Sequence, residues 1–121
     1  MSQEDEAVQK DGGDESTELI SFGIIAAAGT ARSLAFEALN LAHQHDYEGA
    51  HELLDQASKA ALEAHHQQTA LLSKEASGEH TPVDVMLVHA QDHLMTAMLA
   101  QELIAYRETH ILRLVSSKRL S

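Results

Sequence analysis

The chain has 121 residues, a formal charge of −11 at neutral pH, one proline, 3% aromatic residues and no cysteine. That length suits one domain with one core, and the lack of cysteine excludes a disulfide framework, a thiolate nucleophile and a cysteine-based zinc site. An acidic body without a stripe of Lys and Arg argues against binding nucleic acid or an anionic membrane.

The apolar fraction is mostly Ala, Leu, Ile, Val and Met, which favours helices over strands and predicts an all-α protein. Residues 1–16 are rich in Gly, Asp, Glu and Gln, so they are expected to form an acidic disordered tail. Much of the net charge lies in or beside it: residues 1–18 hold seven acids and one base. No apolar run approaches about 18 residues, and the N-terminus is acidic where a signal peptide would be basic. A cytoplasmic location without direct membrane insertion is the expectation.

A first helix is predicted from Ser16 or Thr17, with Ser16 able to cap it. Its apolar pattern continues through Ile24, Ala27, Ala31, Leu34, Ala38 and Leu41 and ends near His43–His45. Asp46 reads as the N-cap of a second helix, which Ser77-Gly78 stops. The third helix is expected to open at Thr81-Pro82-Val83-Asp84: Thr81 as N-cap, Pro82 in the first helical position and Asp84 favouring the positive helix end. It should run to about Ser116, leaving 117–121 as a C-terminal tail and 17–116 as the folded domain. Short loops between three long helices imply an antiparallel, up-down-up three-helix bundle.

On a helical wheel the third helix is apolar all round. Val88, Met95, Leu99 and Tyr106 take one side, while Met86, Ala90, Ala97 and Ile104 take nearly the opposite one. Two partner helices cannot cover both sides, so the bundle is expected to form an oligomer with helix three at its centre.

The polar exceptions on this helix gather on one arc: Asp92, Thr96, His89 and His93 fall at roughly 80°, 120°, 140° and 180° from Asp84. One reading makes His89 and His93 ordinary half-exposed residues, as His43, His45, His65, His66, His80 and His110 are expected to be. A second makes the i, i+4 pair a metal site, although the intervening Ala-Gln-Asp lacks the catalytic Glu of a zincin. A third makes one imidazole a nucleophile. A neutral ring nitrogen can attack phosphorus and carry the phosphoryl group as a phosphoramidate, provided that water is limited and donors hold the oxygens. His89 lies between Val88 and Ala90, and His93 and Thr96 are candidate donors. The chain has no glycine-rich phosphate loop, so the group would have to come from another protein or a small donor.

Four stretches carry a resemblance to a known family: Gly29-Thr-Ala-Arg-Ser-Leu-Ala-Phe-Glu-Ala-Leu39, Asp46-Tyr-Glu-Gly-Ala50, Glu63-Ala-His-His-Gln-Gln-Thr69 and, most specific, Val88-His-Ala-Gln-Asp-His-Leu-Met95. Over about residues 18–115 the chain resembles the IIA components of the lactose/cellobiose/chitobiose class of the bacterial phosphoenolpyruvate:sugar phosphotransferase system. The resemblance implies a homotrimer of three-helix subunits in which His89 takes a phosphoryl group from the phosphohistidine of HPr. It passes that group to a cysteine of the IIB component, which serves the IIC membrane permease during disaccharide uptake. It also implies that Asp92 binds a divalent cation, typically Mg2+, on the threefold axis, which would offset the repulsion of three facing carboxylates. A phosphoryl-stabilising role for His93 and Thr96 rests only on their arc. Two rivals stand beside this reading: a non-enzymatic metal-binding or adaptor protein using His89, Asp92 and His93, and a regulatory relative that binds partners according to its phosphorylation state.

Overall fold

In the computed structural model three helices follow one another: α1 (Gln3–His43), α2 (Tyr47–Ala76) and α3 (Val85–Leu120). The structure describes the backbone of residues 3–120 and the side chains of residues 16–118 except Leu112. Among the described residues there is no strand. Gln68 meets Gln91, and Gly29 faces His93. Ile24 and Ala28 pack with Ala64, Ala90 and Leu94 at one end, and Ala38 and Ala42 with Ala50, Leu54 and Ile104 at the other, which sets α2 antiparallel to α1 and α3, the expected up-down-up bundle.

The two helix junctions are built alike. At the end of α1 the amide of Asp46 donates to Leu41 O and that of His45 to Ala42 O, the paired bonds of a Schellman stop. The residue that must turn left-handed there is His45, with φ 65°. Asp46 then caps α2, its Oδ1 accepting from the amide of Gly49 at 3.0 Å, as its position predicted. At the end of α2, Glu79 donates to Lys74 O and Gly78 to Glu75 O. Here a glycine takes the left-handed position, with φ 95°, so the Ser77-Gly78 stop is borne out.

The start of α3 corrects the sequence reading. Residues 81–84 are not helical, and the cap is Asp84 rather than Thr81: Asp84 Oδ1 accepts from the amide of Leu87 at 2.8 Å. The amide of Thr81 goes instead to Glu75 Oε2 at 3.0 Å, and Glu75 Oε1 pairs with His80 Nδ1 at 2.6 Å. The loop is tied back to the end of α2, and Pro82 precedes the helix.

The outer ends are longer than expected. α1 begins at Gln3, well before Ser16. Glu, Gln, Ala and Lys are good helix formers, and early acids suit the positive helix end. The disordered acidic tail expected over residues 1–16 falls within this helix from Gln3 onward, and residues 1 and 2 lie outside those described. α3 continues past Ser116 to Leu120, with Lys118 in its last turn.

The core is made largely of alanine. Ala28, Ala31, Ala35, Ala38 and Ala42 of α1 face Ala50, Ala57, Ala61 and Ala64 of α2 and Ala90 and Ala97 of α3, all buried, with Ile24, Leu54, Leu87, Leu94 and Ile104 filling between them. Small side chains let the helix axes approach closely, but they leave few places for large ones. Ser16–His43 is, by length and composition, apolar enough to cross a membrane, contrary to the expectation that no such stretch exists. The buried alanine stripe along it is also what a core helix of a soluble bundle presents.

The two sides of α3 part as the wheel suggested. Leu87, Ala90, Leu94, Ala97 and Ile104 are buried. Val85, Val88, Met95, Leu99 and Tyr106 are exposed. With Asp92 these six are spaced alternately three and four residues apart as far as Leu99, with Tyr106 one heptad on, which is the period of a coiled-coil seam.

Candidate functional site

His89 and Asp92 lie one turn apart on α3, and both line an open depression of about 610 Å3. Val83, Asp84, Val85 and Val88 complete its walls. Its position follows from the late start of α3: with residues 81–84 outside the helix, Val83 and Val85 stand exposed at its first turn. The ring of His89 is exposed, so a nucleophilic nitrogen is open to an incoming group. Its neighbours Val85 and Val88 are 84% and 55% exposed, giving the imidazole an apolar collar that a docking protein could cover.

The Asp92 carboxylate makes no hydrogen bond or ion pair among the described residues. It sits on the exposed seam between Val88 and Met95. Within one chain, no three His, Cys, Asp or Glu side chains among the described residues converge to hold a metal. A site built by His89, Asp92 and His93 of a single chain therefore has no support. A single unpaired carboxylate can still serve as one ligand of a hard cation if other copies and water supply the rest.

His93 is placed differently. It is half-buried and lies against α1, where a Cβ on Gly29 would come 3.6 Å from its Nε2. Its ring stacks parallel to that of His89, with centroids 6.0 Å apart and planes 4° apart. Thr96 is exposed, but its hydroxyl donates to the helix carbonyls of Asp92 and His93, at 3.0 and 3.1 Å. Its one proton is thus engaged by the backbone.

Two residues beside the site were not singled out by sequence. Gln68 of α2 donates through Nε2 to Gln91 Oε1 at 2.6 Å, and the same nitrogen lies 3.8 Å from Met95 Sδ. This bridge ties α2 to the turn of α3 that carries the two histidines and Asp92. The available signal was Gln91 itself, an amide on the half-buried side of the His-Ala-Gln-Asp-His run, where an unpaired amide would be costly.

Comparison with known proteins gives the family. Residues 19–109 match the family described as the lactose/cellobiose-specific IIA subunit of the PTS system. The lactose-specific EIIA component of Streptococcus mutans serotype c is 45% identical over 92 residues, covering 76% of this chain and 88% of that protein. Among solved structures, a cellobiose-specific enzyme IIA from Bacillus anthracis superposes with a TM-score of 0.76 at 44% identity, over 83% of this chain and 92% of that one. The IIA(chitobiose) component in complex with HPr, from the N,N'-diacetylchitobiose branch of the Escherichia coli phosphotransferase system, gives 0.68 at 43% identity, over 81% and 95%. The protein is a sugar-phosphotransferase component. The chain belongs to the lactose/cellobiose-specific IIA family.

Proposed function

We propose that this protein is a cytoplasmic histidine phosphocarrier in which His89 receives a phosphoryl group from phospho-HPr and yields it to a cysteine of a IIB component, serving uptake of a disaccharide of the lactose, cellobiose or chitobiose type through a IIC permease. The observation that carries this reading is an exposed His89 in an apolar collar on α3, opposite that helix's buried face. The likeness to a IIA chain bound to HPr supports HPr as the donor.

In the first step a lone pair on a His89 nitrogen attacks phosphorus. The new P–N bond forms as the P–N bond to the donor imidazole breaks; the donor ring leaves as neutral imidazole with a proton on its other nitrogen, and the phosphorylated His89 ring gives up its own N–H proton. In the second step a thiolate attacks from the opposite face, an S–P bond forms, and His89 leaves. Both steps conserve a reactive phosphoryl bond, so the protein's task is to position the ring and exclude water. Val85 and Val88 would form the dry contact around the ring during docking. His93, whose ring lies parallel to that of His89 with centroids 6.0 Å apart, would be the donor to a phosphoryl oxygen. Thr96 could do so only after turning its hydroxyl away from the helix carbonyls.

The same reading makes the protein a homotrimer about the exposed seam of α3. Three copies of Asp92 would then face one another and hold a divalent cation, with Mg2+ the fitting choice for oxygen ligands completed by water. The test is labelling by radioactive phosphoenolpyruvate in the presence of enzyme I and HPr. Wild type should acquire label and His89→Gln should not, whereas equal labelling of the two would overturn the carrier assignment.

A further inference from the structure

Among the described residues, residues 80–83 of the α2–α3 connection hydrogen-bond to nothing but Glu75. Its Oε2 accepts from the Thr81 amide at 3.0 Å, and its Oε1 pairs with His80 Nδ1 at 2.6 Å. Pro82 follows, fixing its own φ and steering Thr81 towards extended backbone. On the far side Asp84 anchors the chain by accepting from the Leu87 amide. Val83 therefore stands between two fixed points. It is 76% exposed and belongs to two depressions at once. One is the depression that holds His89; the other is a groove of about 200 Å3 walled by Leu71, Leu72, Leu87 and Gln91. Val83 is the ridge between them. An ion pair as exposed as that of His80 with Glu75 adds little to the stability of a fold, and phosphoryl transfer as described gives it no part.

We propose that Glu75 is a positioning residue for the docking of HPr: by tying His80 and Thr81 to the end of α2, it holds Val83 as a fixed apolar ridge beside His89, against which HPr packs. The inference rests on the phosphocarrier reading and adds what prepares the surface for the donor. A phosphohistidine reaches His89 only when the protein that carries it covers the apolar collar. Val85 and Val88 are set by α3 itself, whereas Val83 lies outside the helix. Without Glu75, residues 80–83 would keep no hydrogen bond to either helix, and only Pro82 would limit their backbone. A loop that is ordered at the moment of docking subtracts that entropy from the affinity, and a loop already pinned does not. The bond from the Thr81 amide, and then the one from His80, keep the Glu75 carboxyl below its ordinary range. It is therefore ionised at neutral pH and free to accept both.

The test is a titration of the full protein with HPr, followed by amide correlation spectra, for wild type, Glu75→Ala, Val83→Ala and the double variant. Both positions are exposed, so circular dichroism should show the same helix content in all four. Glu75→Ala should raise the Kd about fivefold, or about 1 kcal/mol, and Val83→Ala should raise it by a similar factor. The double variant should also lose about fivefold rather than about 25-fold, because the two changes remove one contact. Glu75→Gln keeps an oxygen for the Thr81 amide and should stay within about twofold of wild type. Wild-type affinity in Glu75→Ala, additive losses in the double variant, or a loss in Glu75→Gln equal to that in Glu75→Ala would overturn the proposal. So would a wild type that does not bind HPr. Labelling of His89 by saturating phospho-HPr should be unchanged in Glu75→Ala, and its loss in that variant alone would also overturn the proposal. An unlabelled wild type would instead sink the carrier reading, on which the comparison of Kd values does not depend.

Discussion

Leu99 is the sharpest probe of the proposed trimer. It is 56% exposed in the isolated chain, faces away from α1 and α2, and continues the seam of Val88, Asp92 and Met95. Complete burial of a leucine is worth about 1.5–3 kcal/mol. Covering the half that one chain leaves open would contribute about 1 kcal/mol per copy, and three copies about 3 kcal/mol per trimer. Leu99→Ala removes most of that. The association constant should therefore fall about a hundredfold, taking about 1.4 kcal/mol per factor of ten. Leu99→Asp adds three carboxylates to an apolar axis and should leave monomers. Sedimentation equilibrium across the micromolar range reads both changes, and circular dichroism should show the helices intact, since Leu99 touches little of its own subunit's core. If wild type sediments as a monomer, or if Leu99→Asp leaves an oligomer unaltered, the seam is not the interface and the reasoning fails.

Other outcomes follow from local geometry. His45→Gly should raise stability by about 1 kcal/mol, because a left-handed φ burdens any residue with a Cβ; Gly78→Ala should lower it by a similar amount. Thermal melts of the two variants moving in the same direction would contradict the shared junction geometry. The bond from the Thr81 amide, and then the one to His80, hold the Glu75 carboxyl below its ordinary range. The stabilisation they give is present above the unfolded carboxyl's pKa and is lost as pH falls through the lowered folded value. Protection of the Thr81 amide, taken as its exchange rate relative to the intrinsic rate at each pH, should fall in acid, and a Glu75→Gln variant with the same acid response would refute the assignment. Under the trimer reading, Asp92→Asn should abolish retention of one divalent cation per three chains after dialysis, measured by elemental analysis. Undiminished cation would place the ion elsewhere.

Composition and apolar spacing were enough to read the helical class, the number of helices, the Asp46 cap and the Ser77-Gly78 stop, because each rests on local chemistry. The start of α3 was not legible. Thr81-Pro82 and Asp84 are both sound opening signals, and the choice between them is made by Glu75, whose carboxylate captures the Thr81 amide across the loop. The left-handed turn at His45 was nearly as hidden, since a histidine is only a weak signal for a position usually held by glycine. At the site, the wheel placed four polar residues on one arc, yet the structure divides them. His89 and Asp92 share the open depression, His93 turns toward Gly29, and Thr96 bonds to its own helix. Periodicity gives direction around an axis but says nothing of the neighbour waiting there. The Gln68–Gln91 bridge, which depends on two helices meeting, was invisible for the same reason.

The central claim is that one exposed imidazole carries the phosphoryl group, and the direct measurement is to find that group. The protein should be phosphorylated with phosphoenolpyruvate, enzyme I and HPr, kept at alkaline pH to preserve the P–N bond, and mapped by peptide mass spectrometry. The account predicts modification on His89 alone, discharged when a IIB component is added. Modification on His93 or another histidine, or a phosphoryl group on His89 that IIB cannot remove, would contradict it.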